Sequence, residues 1–241
     1  MGVQLGRVFT RGLRRSVSPS GLVVLVLFAV YQFGLLAAMN TVIYRAVPPE
    51  YTMGLADVIG FALPVSLRSA VALGVASLVF GTWTFLVATR LLARDVDALS
   101  TVPSRVFSRR LLGGFVSAFL VSVLLGILIP IGFVLFVVPG LYLAVSLLFS
   151  IFAVGVADDG PIAAMQRSWE LATGNRWKLL VVVVILAGVG GVINIASSVI
   201  RLVDPLAGQL ASVFTTTVLL VVTYGFVAEA FVQLSGETTA V

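Results

Sequence analysis

Apolar residues occur along this chain in long continuous runs, and short polar segments separate the runs. A helix needs about 20 apolar residues to cross the hydrocarbon core of a bilayer. Lipid offers the backbone no hydrogen-bond partner, and the runs are continuous rather than alternating, which favours helices over a barrel. The pattern predicts an all-α, polytopic membrane bundle of six transmembrane helices, at about 21–44, 66–92, 111–129, 133–157, 177–200 and 205–234.

The third and fourth predicted spans come from one uncharged stretch, residues 111–157. As a helix rising 1.5 Å per residue, this stretch is roughly twice as long as the bilayer core is thick, and it must therefore fold back. We predict the turn in "GILIPIG", residues 126–132, because proline and glycine weaken a helix. The pair Pro139–Gly140 then lies inside the fourth span. It either kinks that helix or follows a short re-entrant segment, and the sequence leaves both open.

The polar segments divide the chain into a basic N-terminal segment (1–20), the membrane domain (21–235) and a polar tail (236–241). The N-terminal segment is predicted to form a surface helix. Its apolar face is expected to contain Val3, Leu5, Val8, Phe9 and Leu13. A second short amphipathic piece is predicted in "LADVIGFALP", residues 55–64.

The longest segment typical of a water-soluble protein is "DDGPIAAMQRSWELATGNRW", residues 158–177. Asp158 and Asp159 place negative charge at a helix start, Pro161 suits the first helical position, and Gly174 suits the stop. The segment therefore predicts an amphipathic helix at about 160–173. Its apolar face comprises Ile162, Met165, Trp169 and Ala172.

This helix is expected to lie along the membrane interface, with tryptophans as anchors at the level of the lipid headgroups. One interpretation is a connector that fixes the geometry between spans four and five. The other is a docking or lipid-sensing surface. Its candidate residues are Arg167, Trp169, Glu170, Arg176 and Trp177, and Arg167 is expected to pair weakly with Glu170, three positions further on.

The basic residues are distributed unevenly over the polar segments. Eleven arginines and lysines fall in segments 1–20, 93–110 and 158–178, whereas the connections on the opposite side contain only Arg45 and Arg201. Positive charge concentrates on the cytoplasmic side of membrane proteins. The bias predicts a multi-pass protein of the cell membrane with both termini cytoplasmic. It also explains the net charge of +5 without nucleic-acid binding, since no basic patch is interleaved with aromatic residues.

The composition argues against most enzymatic chemistry. The chain contains no cysteine and no histidine, which removes thiolate nucleophiles, the commonest general base and the commonest transition-metal ligands. The carboxylate pairs Asp95–Asp97 and Asp158–Asp159 lack the spread of ligands that a magnesium or phosphate site needs. No nucleotide-binding or hydrolase motif occurs. We therefore expect no catalytic site, no metal and no cofactor.

Ionisable residues inside a span are the stronger functional indication. Glu229 lies near the cytoplasmic end of span six. We expect it to form a structural ion pair with Arg167, Arg176 or Arg90, which would hold span six against the amphipathic helix. A proton or cation site is the alternative.

Three uncharged polar residues, Asn40, Asn194 and Gln209, fall toward the outer side of the predicted bundle. They would either line a small outward cavity or form hydrogen bonds between helices. Such bonds contribute about 0.6 kcal/mol each on average, and they are the simpler explanation.

The segment "VVPGLYLAVSLLFSIFAVGVADDGPIAAMQRSWELATGNRWKLL" resembles the signature of the glycerophosphoryl diester phosphodiesterase membrane-domain superfamily. It is similar to the uncharacterised six-helix membrane proteins found in halophilic archaea. The matching positions are Pro139, Gly140, Tyr142, Asp158, Ala164, Arg167, Ser168, Trp169, Leu171, Gly174 and Trp177. The resemblance implies a six-helix fold. In the enzymes that name the superfamily, chemistry resides in a separate soluble barrel with histidines, so the resemblance does not carry that activity over.

These observations predict a non-enzymatic membrane protein that acts as a scaffold, a partner subunit or a lipid-associated organiser. Membrane lipids are the expected partners. A membrane-protein partner or a second copy of the chain is a further expectation, and nucleic acid is not. The alternative is a small transporter or channel with Asn194, Gln209 and Glu229 along its path. A membrane enzyme acting on lipid is the least favoured reading.

Overall fold

A computed structural model describes residues 2–48, 59–236 and 238 of the chain. These residues form helices and their connections, with no β-strand among them, which confirms the predicted all-α class. A 3₁₀ helix occupies Val96–Ser100. The α-helices are α1 (Leu5–Ser16), α2 (Pro19–Ala46), α3 (Leu67–Leu92), α4 (Arg105–Ser108), α5 (Leu111–Leu135), α6 (Val137–Ser146), α7 (Ser150–Ala157), α8 (Pro161–Ala172), α9 (Arg176–Val203) and α10 (Pro205–Ser235).

Six helical segments in the described part of the chain are long and apolar enough to cross a membrane, as the run lengths predicted. Their most apolar windows have a mean hydropathy between 1.9 and 2.7, and each contains at most two charged residues. The segments are Pro19–Ala46, Leu67–Leu92, Leu112–Leu135, Val137–Ala157, Arg176–Val203 and Pro205–Ser235.

The turn between the third and fourth segments lies later than predicted. Helix α5 continues through Pro130 to Leu135, and the chain turns at Phe136, whose backbone is extended. The prediction of a turn at 126–132 was therefore wrong. A proline removes one helical hydrogen bond, whereas an open turn inside a membrane span would leave several backbone groups without partners.

Glycine in this region serves packing rather than turning. A Cβ atom added at Gly132 would lie 3.0 Å from the Cα atom of Gly140, so α5 and α6 approach closely just beyond the turn. Pro139 and Gly140 both lie in the first turn of α6, where proline is tolerated. They neither kink the middle of a helix nor follow a re-entrant segment.

The fourth segment is interrupted between α6 and α7. Buried Ser168 of α8 stabilises the interruption. The backbone N–H of Phe149 donates to the Ser168 hydroxyl oxygen over 3.0 Å, and that hydroxyl donates to the carbonyl of Ser146 over 2.9 Å. One side chain of α8 thus satisfies a donor and an acceptor that the helix break releases.

The chain divides into two compact units: residues 1–24, 82–186 and 221–241 form the first, and residues 25–81 and 187–220 form the second. The first unit contains a fully buried apolar cluster to which α3, α5, α7 and α8 contribute. Its members are Leu86, Ala118, Val121, Ala153, Val154 and Ala164. Helix α8 is therefore anchored by Ala164 in the core of this unit.

Helix α1 packs against α10 within the first unit. A Cβ atom added at Gly12 would lie 2.9 Å from the Cα atom of Phe226, so only glycine permits this approach. The buried positions of α1 are Val8, Gly12, Arg15 and Ser16, whereas Leu13 is 50% exposed. The predicted apolar face was thus only partly right, because the helix buries a glycine and an arginine rather than a continuous apolar stripe.

Two predicted elements extend beyond the described residues. Of the amphipathic piece predicted at 55–64, residues 55–58 lie outside them, and residues 59–64 are not helical. In the predicted tail, residues 237 and 239–241 also lie outside them.

Candidate interfacial site

The acidic pair that precedes α8 binds arginines instead of capping the helix. Asp158 ends α7 in the left-handed conformation (φ 57°), which aspartate tolerates better than most residues. Its carboxylate lies 2.6 Å from an Nη atom of Arg109 and 3.9 Å from one of Arg90 and one of Arg110. The N-cap of α8 is Gly160, which has no capping side chain. The predicted negative charge at the start of α8 is present, but both carboxylates precede the N-cap and pair with arginines.

The sequence predicted a weak ion pair between Arg167 and Glu170. In the structure, Arg167 pairs with Asp159 instead. The Arg167 guanidinium lies 3.5 Å from the Asp159 carboxylate. Glu170 is exposed on α8. These two residues of the predicted docking surface thus lie apart from the aromatic cluster described next.

An arginine lies against two aromatic rings where α6, α8 and α9 meet. The guanidinium carbon of Arg176 is 4.6 Å from the Tyr142 ring centroid and 5.0 Å from the Trp169 ring centroid. The two rings meet edge to face, with their centroids 5.4 Å apart. Both distances from the guanidinium carbon to a ring centroid are within the range of a cation–π interaction. We call Tyr142, Trp169 and Arg176 the aromatic–arginine cluster.

The connection between α8 and α9 places Arg176 on these rings. Gly174 adopts a positive φ of 82°, which glycine allows without strain, and the chain reverses there. The Thr173 hydroxyl donates to the Trp169 carbonyl over 2.7 Å, and an Arg176 Nη atom donates to the Thr173 hydroxyl over 3.1 Å. The turn chemistry read from the sequence at Gly174 is therefore the element that positions the arginine.

An apolar groove of about 450 Å³ adjoins the aromatic–arginine cluster. Aliphatic side chains of α6 and α9 line it, and Trp177, 81% exposed, stands at its side. Arg176 is its only charged lining residue among the described part of the chain. Besides Tyr142, Arg176 and Trp177, the lining is Val138, Leu141, Val145 and Leu180.

Of the five predicted docking residues, Arg176 and Trp177 line the groove, and the Trp169 ring contacts Arg176. The structure adds Tyr142, which belongs to the matched signature but was not predicted as a site residue. Tyr142 lies on the exposed side of α6, the helix that begins directly after the turn at Phe136.

Glu229 forms the expected ion pair, but with a different partner. Its carboxylate accepts from Nε of Arg15 over 3.0 Å and lies 2.9 Å from Nη2, and both side chains are 2% exposed. Gln233 donates to the other carboxylate oxygen over 3.1 Å. The pair therefore holds α1 against α10. The predicted partners of Glu229 were Arg167, Arg176 or Arg90, and that part of the prediction was wrong.

The Arg15 guanidinium also binds the carboxyl end of α3. Its Nη1 donates to the carbonyls of Leu92 over 2.6 Å and Arg94 over 2.5 Å, where the helix dipole favours positive charge. Burial lowers the pKa of Arg15 from its ordinary value, and the Glu229 carboxylate opposes that shift. The guanidinium remains charged at neutral pH.

Two further buried arginines bind backbone carbonyls in the same unit. Arg94 donates to the Ser20 hydroxyl over 2.7 Å and to the Thr101 carbonyl, and Arg90 donates to the Arg109 carbonyl over 2.7 Å. A planar guanidinium offers five donors in a fixed geometry, which lysine cannot reproduce. From the sequence, Arg94 was counted only in the charge bias, and Arg90 was proposed only as a partner of Glu229.

A family profile matches residues 3–234, nearly the whole chain. The chain belongs to DUF7847, a domain of unknown function. No curated protein and no solved structure matches it. The DUF7847 match covers α1 to α9 entirely and α10 up to its penultimate residue, so the groove and the buried arginines all lie within the domain.

The three amides of this DUF7847 chain that were predicted to lie within the spans do not form one group. Within the second unit, Asn40 Nδ2 donates to Gln209 Oε1 over 2.9 Å and to the Phe61 carbonyl over 3.0 Å, and both amide side chains are buried. Asn194 is exposed on α9 and donates to the Gly190 carbonyl of its own helix. Of the two explanations raised by the sequence, interhelical hydrogen bonding fits Asn40 and Gln209.

Proposed function

We propose that this DUF7847 chain is a multi-pass protein of the cell membrane that binds membrane lipid and organises it or a membrane partner without catalysing a reaction. The observation that carries the proposal is the position of Arg176, between Tyr142 and Trp169 and at the edge of an apolar groove. The site then combines an acyl-chain surface with a cation for a headgroup.

The contacts among the basic segments support an inward orientation of both termini. The N–H of Val3 donates to the Asn175 side chain, Arg15 binds the Arg94 carbonyl, and Arg109 binds Asp158. Segments 1–20, 93–110 and 158–178 therefore meet at one place. Because they contain most of the arginines, we propose that this place is cytoplasmic and that α8 lies along the interface there.

The chemistry of the groove favours a phospholipid as the occupant. No carboxylate of the described residues pairs with Arg176, so its charge remains available to an anionic headgroup. The aliphatic residues of α6 and α9 offer the adjoining surface to an acyl chain. Exposed Trp177 has the amphipathic character of residues found at headgroup level.

The absence of an enzymatic function is also part of the proposal. Arginine and aromatic rings bind and orient anionic groups, but they are poor general bases because a guanidinium does not lose its proton. The likeness of residues 137–180 to the glycerophosphoryl diester phosphodiesterase membrane domain supports a role separate from catalysis. We propose a distant relationship to that membrane domain alone.

The transporter alternative receives less support from the residues that suggested it. Glu229 is paired with Arg15, Gln209 is bonded to Asn40, and Asn194 bonds its own helix. Each group has a partner that accounts for it. Liposomes that contain the purified protein are therefore expected to retain their solutes. Leakage of a defined solute from these liposomes would favour the transporter.

Replacing Arg176 by glutamine is expected to reduce phospholipid retention about tenfold. A charge-assisted hydrogen bond contributes about 1.5–3 kcal/mol, and 1.4 kcal/mol corresponds to a factor of ten. The measurement is native mass spectrometry of the protein purified in mild detergent with added phosphatidylglycerol. Arg105→Gln, which removes an exposed arginine elsewhere in the same unit, is the matched control. Equal lipid occupancy in both variants would contradict the proposal.

A further inference from the structure

A cavity of about 840 Å³ lies beside α1 in the first unit, separate from the groove at Arg176. Its walls are one face of α1, the residues around the start of the 3₁₀ helix, and the final turns of α10. Its volume falls within the range of small-molecule sites, roughly 300–1,000 Å³. The cavity shares no lining residue with the proposed lipid groove.

Three arginines of α1 line this cavity: Arg7, Arg11 and Arg14. Their spacing of four and three residues places them on one face of the helix. Neither Arg7 nor Arg14 has an ion-pair partner among the described residues, and Arg11 only approaches Glu229 at 4.0 Å. The three guanidinium groups thus face a common space, and of the three only Arg11 has an ion-pair partner among the described residues.

The position of α1 is fixed, which makes the cavity a built feature. The N–H of Gln4 donates to the Gln233 side chain over 2.9 Å, and Lys178 donates to the Val3 carbonyl over 3.1 Å. The buried Arg15–Glu229 pair also lines the cavity. Because Arg15 occupies Glu229, that carboxylate competes only weakly for the exposed arginines.

Two carboxylates line another part of the same cavity. Asp95 and Asp97 are exposed near the 3₁₀ helix, and neither forms an ion pair with another described residue. A cavity with three guanidinium groups and two carboxylates suits an anionic ligand, and it offers acceptors to any hydroxyl group that the ligand carries. Arginine recognises phosphate through paired N–H groups, and carboxylates accept from hydroxyl groups.

We propose that this cavity binds a phosphomonoester, with the phosphate on Arg7, Arg11 and Arg14 and any hydroxyl group of the ester toward Asp95 or Asp97. The same chemistry occurs on a free metabolite-sized phosphate ester and on a lipid headgroup. A phosphomonoester has nearly two negative charges at neutral pH, whereas a phosphodiester has one. Three guanidinium groups therefore favour the monoester.

The test uses the full-length protein in two formats. Binding of radiolabelled glycerol 3-phosphate is measured on the detergent-purified protein, which probes the free ester. Retention of phosphatidic acid is measured in phosphatidylcholine nanodiscs containing 10% phosphatidic acid, with 10% phosphatidylglycerol in parallel discs as the phosphodiester reference. Binding of glycerol 3-phosphate assigns a soluble ligand. Selective retention of phosphatidic acid without such binding assigns a lipid headgroup.

The triple variant Arg7→Gln/Arg11→Gln/Arg14→Gln is expected to lose at least about tenfold in phosphomonoester affinity. The triple variant Arg45→Gln/Arg105→Gln/Arg201→Gln removes the same charge from three exposed positions outside the cavity and is expected to bind normally. The single variant Arg14→Gln, expected to weaken binding severalfold, provides a reading if the first triple variant misfolds.

Three results would overturn this proposal: neither probe binds, both triple variants weaken binding equally, or the first triple variant loses phosphatidylglycerol as strongly as phosphatidic acid. The second and third results would indicate attraction by net charge alone. The outcome is independent of the Arg176 groove, because Arg176→Gln is expected to leave glycerol 3-phosphate and phosphatidic acid binding at this cavity unchanged. Failure of one proposal is thereby distinguishable from failure of the other.

Discussion

Replacing Glu229 by leucine is expected to lower the free energy of unfolding by about 3–5 kcal/mol. The substitution leaves the Arg15 guanidinium charged and only 2% exposed, without its carboxylate. Removing one member of a buried ion pair is far more costly than removing both, because the remaining charge has lost its solvation and gained no partner. The measurement is unfolding by sodium dodecyl sulfate in mixed micelles, followed by circular dichroism.

The double variant Arg15→Met/Glu229→Leu is expected to recover part of this loss. The unpaired charge is absent, but the carbonyls of Leu92 and Arg94 lose the donor that Arg15 provides. Recovery should therefore be incomplete. The exposed-arginine control Arg105→Gln is expected to change stability by less than about 0.5 kcal/mol. A change of that small size for Glu229→Leu would show that the pair does not hold α1 to α10.

Replacing Arg90 by methionine is expected to lower the free energy of unfolding by roughly 3 kcal/mol, since each buried acceptor left without a donor costs about 1–3 kcal/mol. The fully buried guanidinium donates to the carbonyls of Arg109 over 2.7 Å, Gly155 over 3.3 Å and Val106 over 3.4 Å. Gly114 leaves room for it, because an added Cβ there would lie 2.9 Å from an Arg90 Nη atom. Methionine fills part of the space but offers no donor.

The same variant should also loosen the connection that contains Arg109, which trypsin cleavage after residues 105, 109 and 110 would detect as a faster rate. The matched control is Arg68→Met, at the opposite end of the same helix, where the arginine is exposed. Equal stability and equal cleavage rates in the two variants would mean that Arg90 contributes only charge.

Run length and hydropathy were sufficient to predict the six long helices, because a membrane span has a minimum length that short soluble helices do not reach. The same reasoning misplaced the turn after the third helix. Pro130 and the neighbouring glycines are turn signals in water, but the helix continues through Pro130, as expected for a segment in lipid, where exposed backbone groups are costly.

Long-range partners were the least predictable features. The ion pair at Glu229 followed from its depth in the span, but its partner lies 214 positions away in α1, and no local pattern identifies it. The role of Ser168 in the break between α6 and α7 was likewise invisible, because a small polar residue on a helix resembles a surface position. The stop at Gly174 was predicted because turn chemistry is local, but the contact of Arg176 with the Tyr142 and Trp169 rings was not.

The chain contains no cysteine, so single cysteines report the side of the membrane directly. The most direct test places one at Gln166, exposed on α8, and another at Val203, 87% exposed at the end of α9. A membrane-impermeant maleimide is applied to intact cells and to permeabilised cells. We predict that the Val203→Cys protein is labelled in intact cells, whereas the Gln166→Cys protein is labelled only after permeabilisation. Labelling of Gln166→Cys in intact cells would contradict the proposal that the arginine-rich segments 1–20, 93–110 and 158–178 face the cytoplasm.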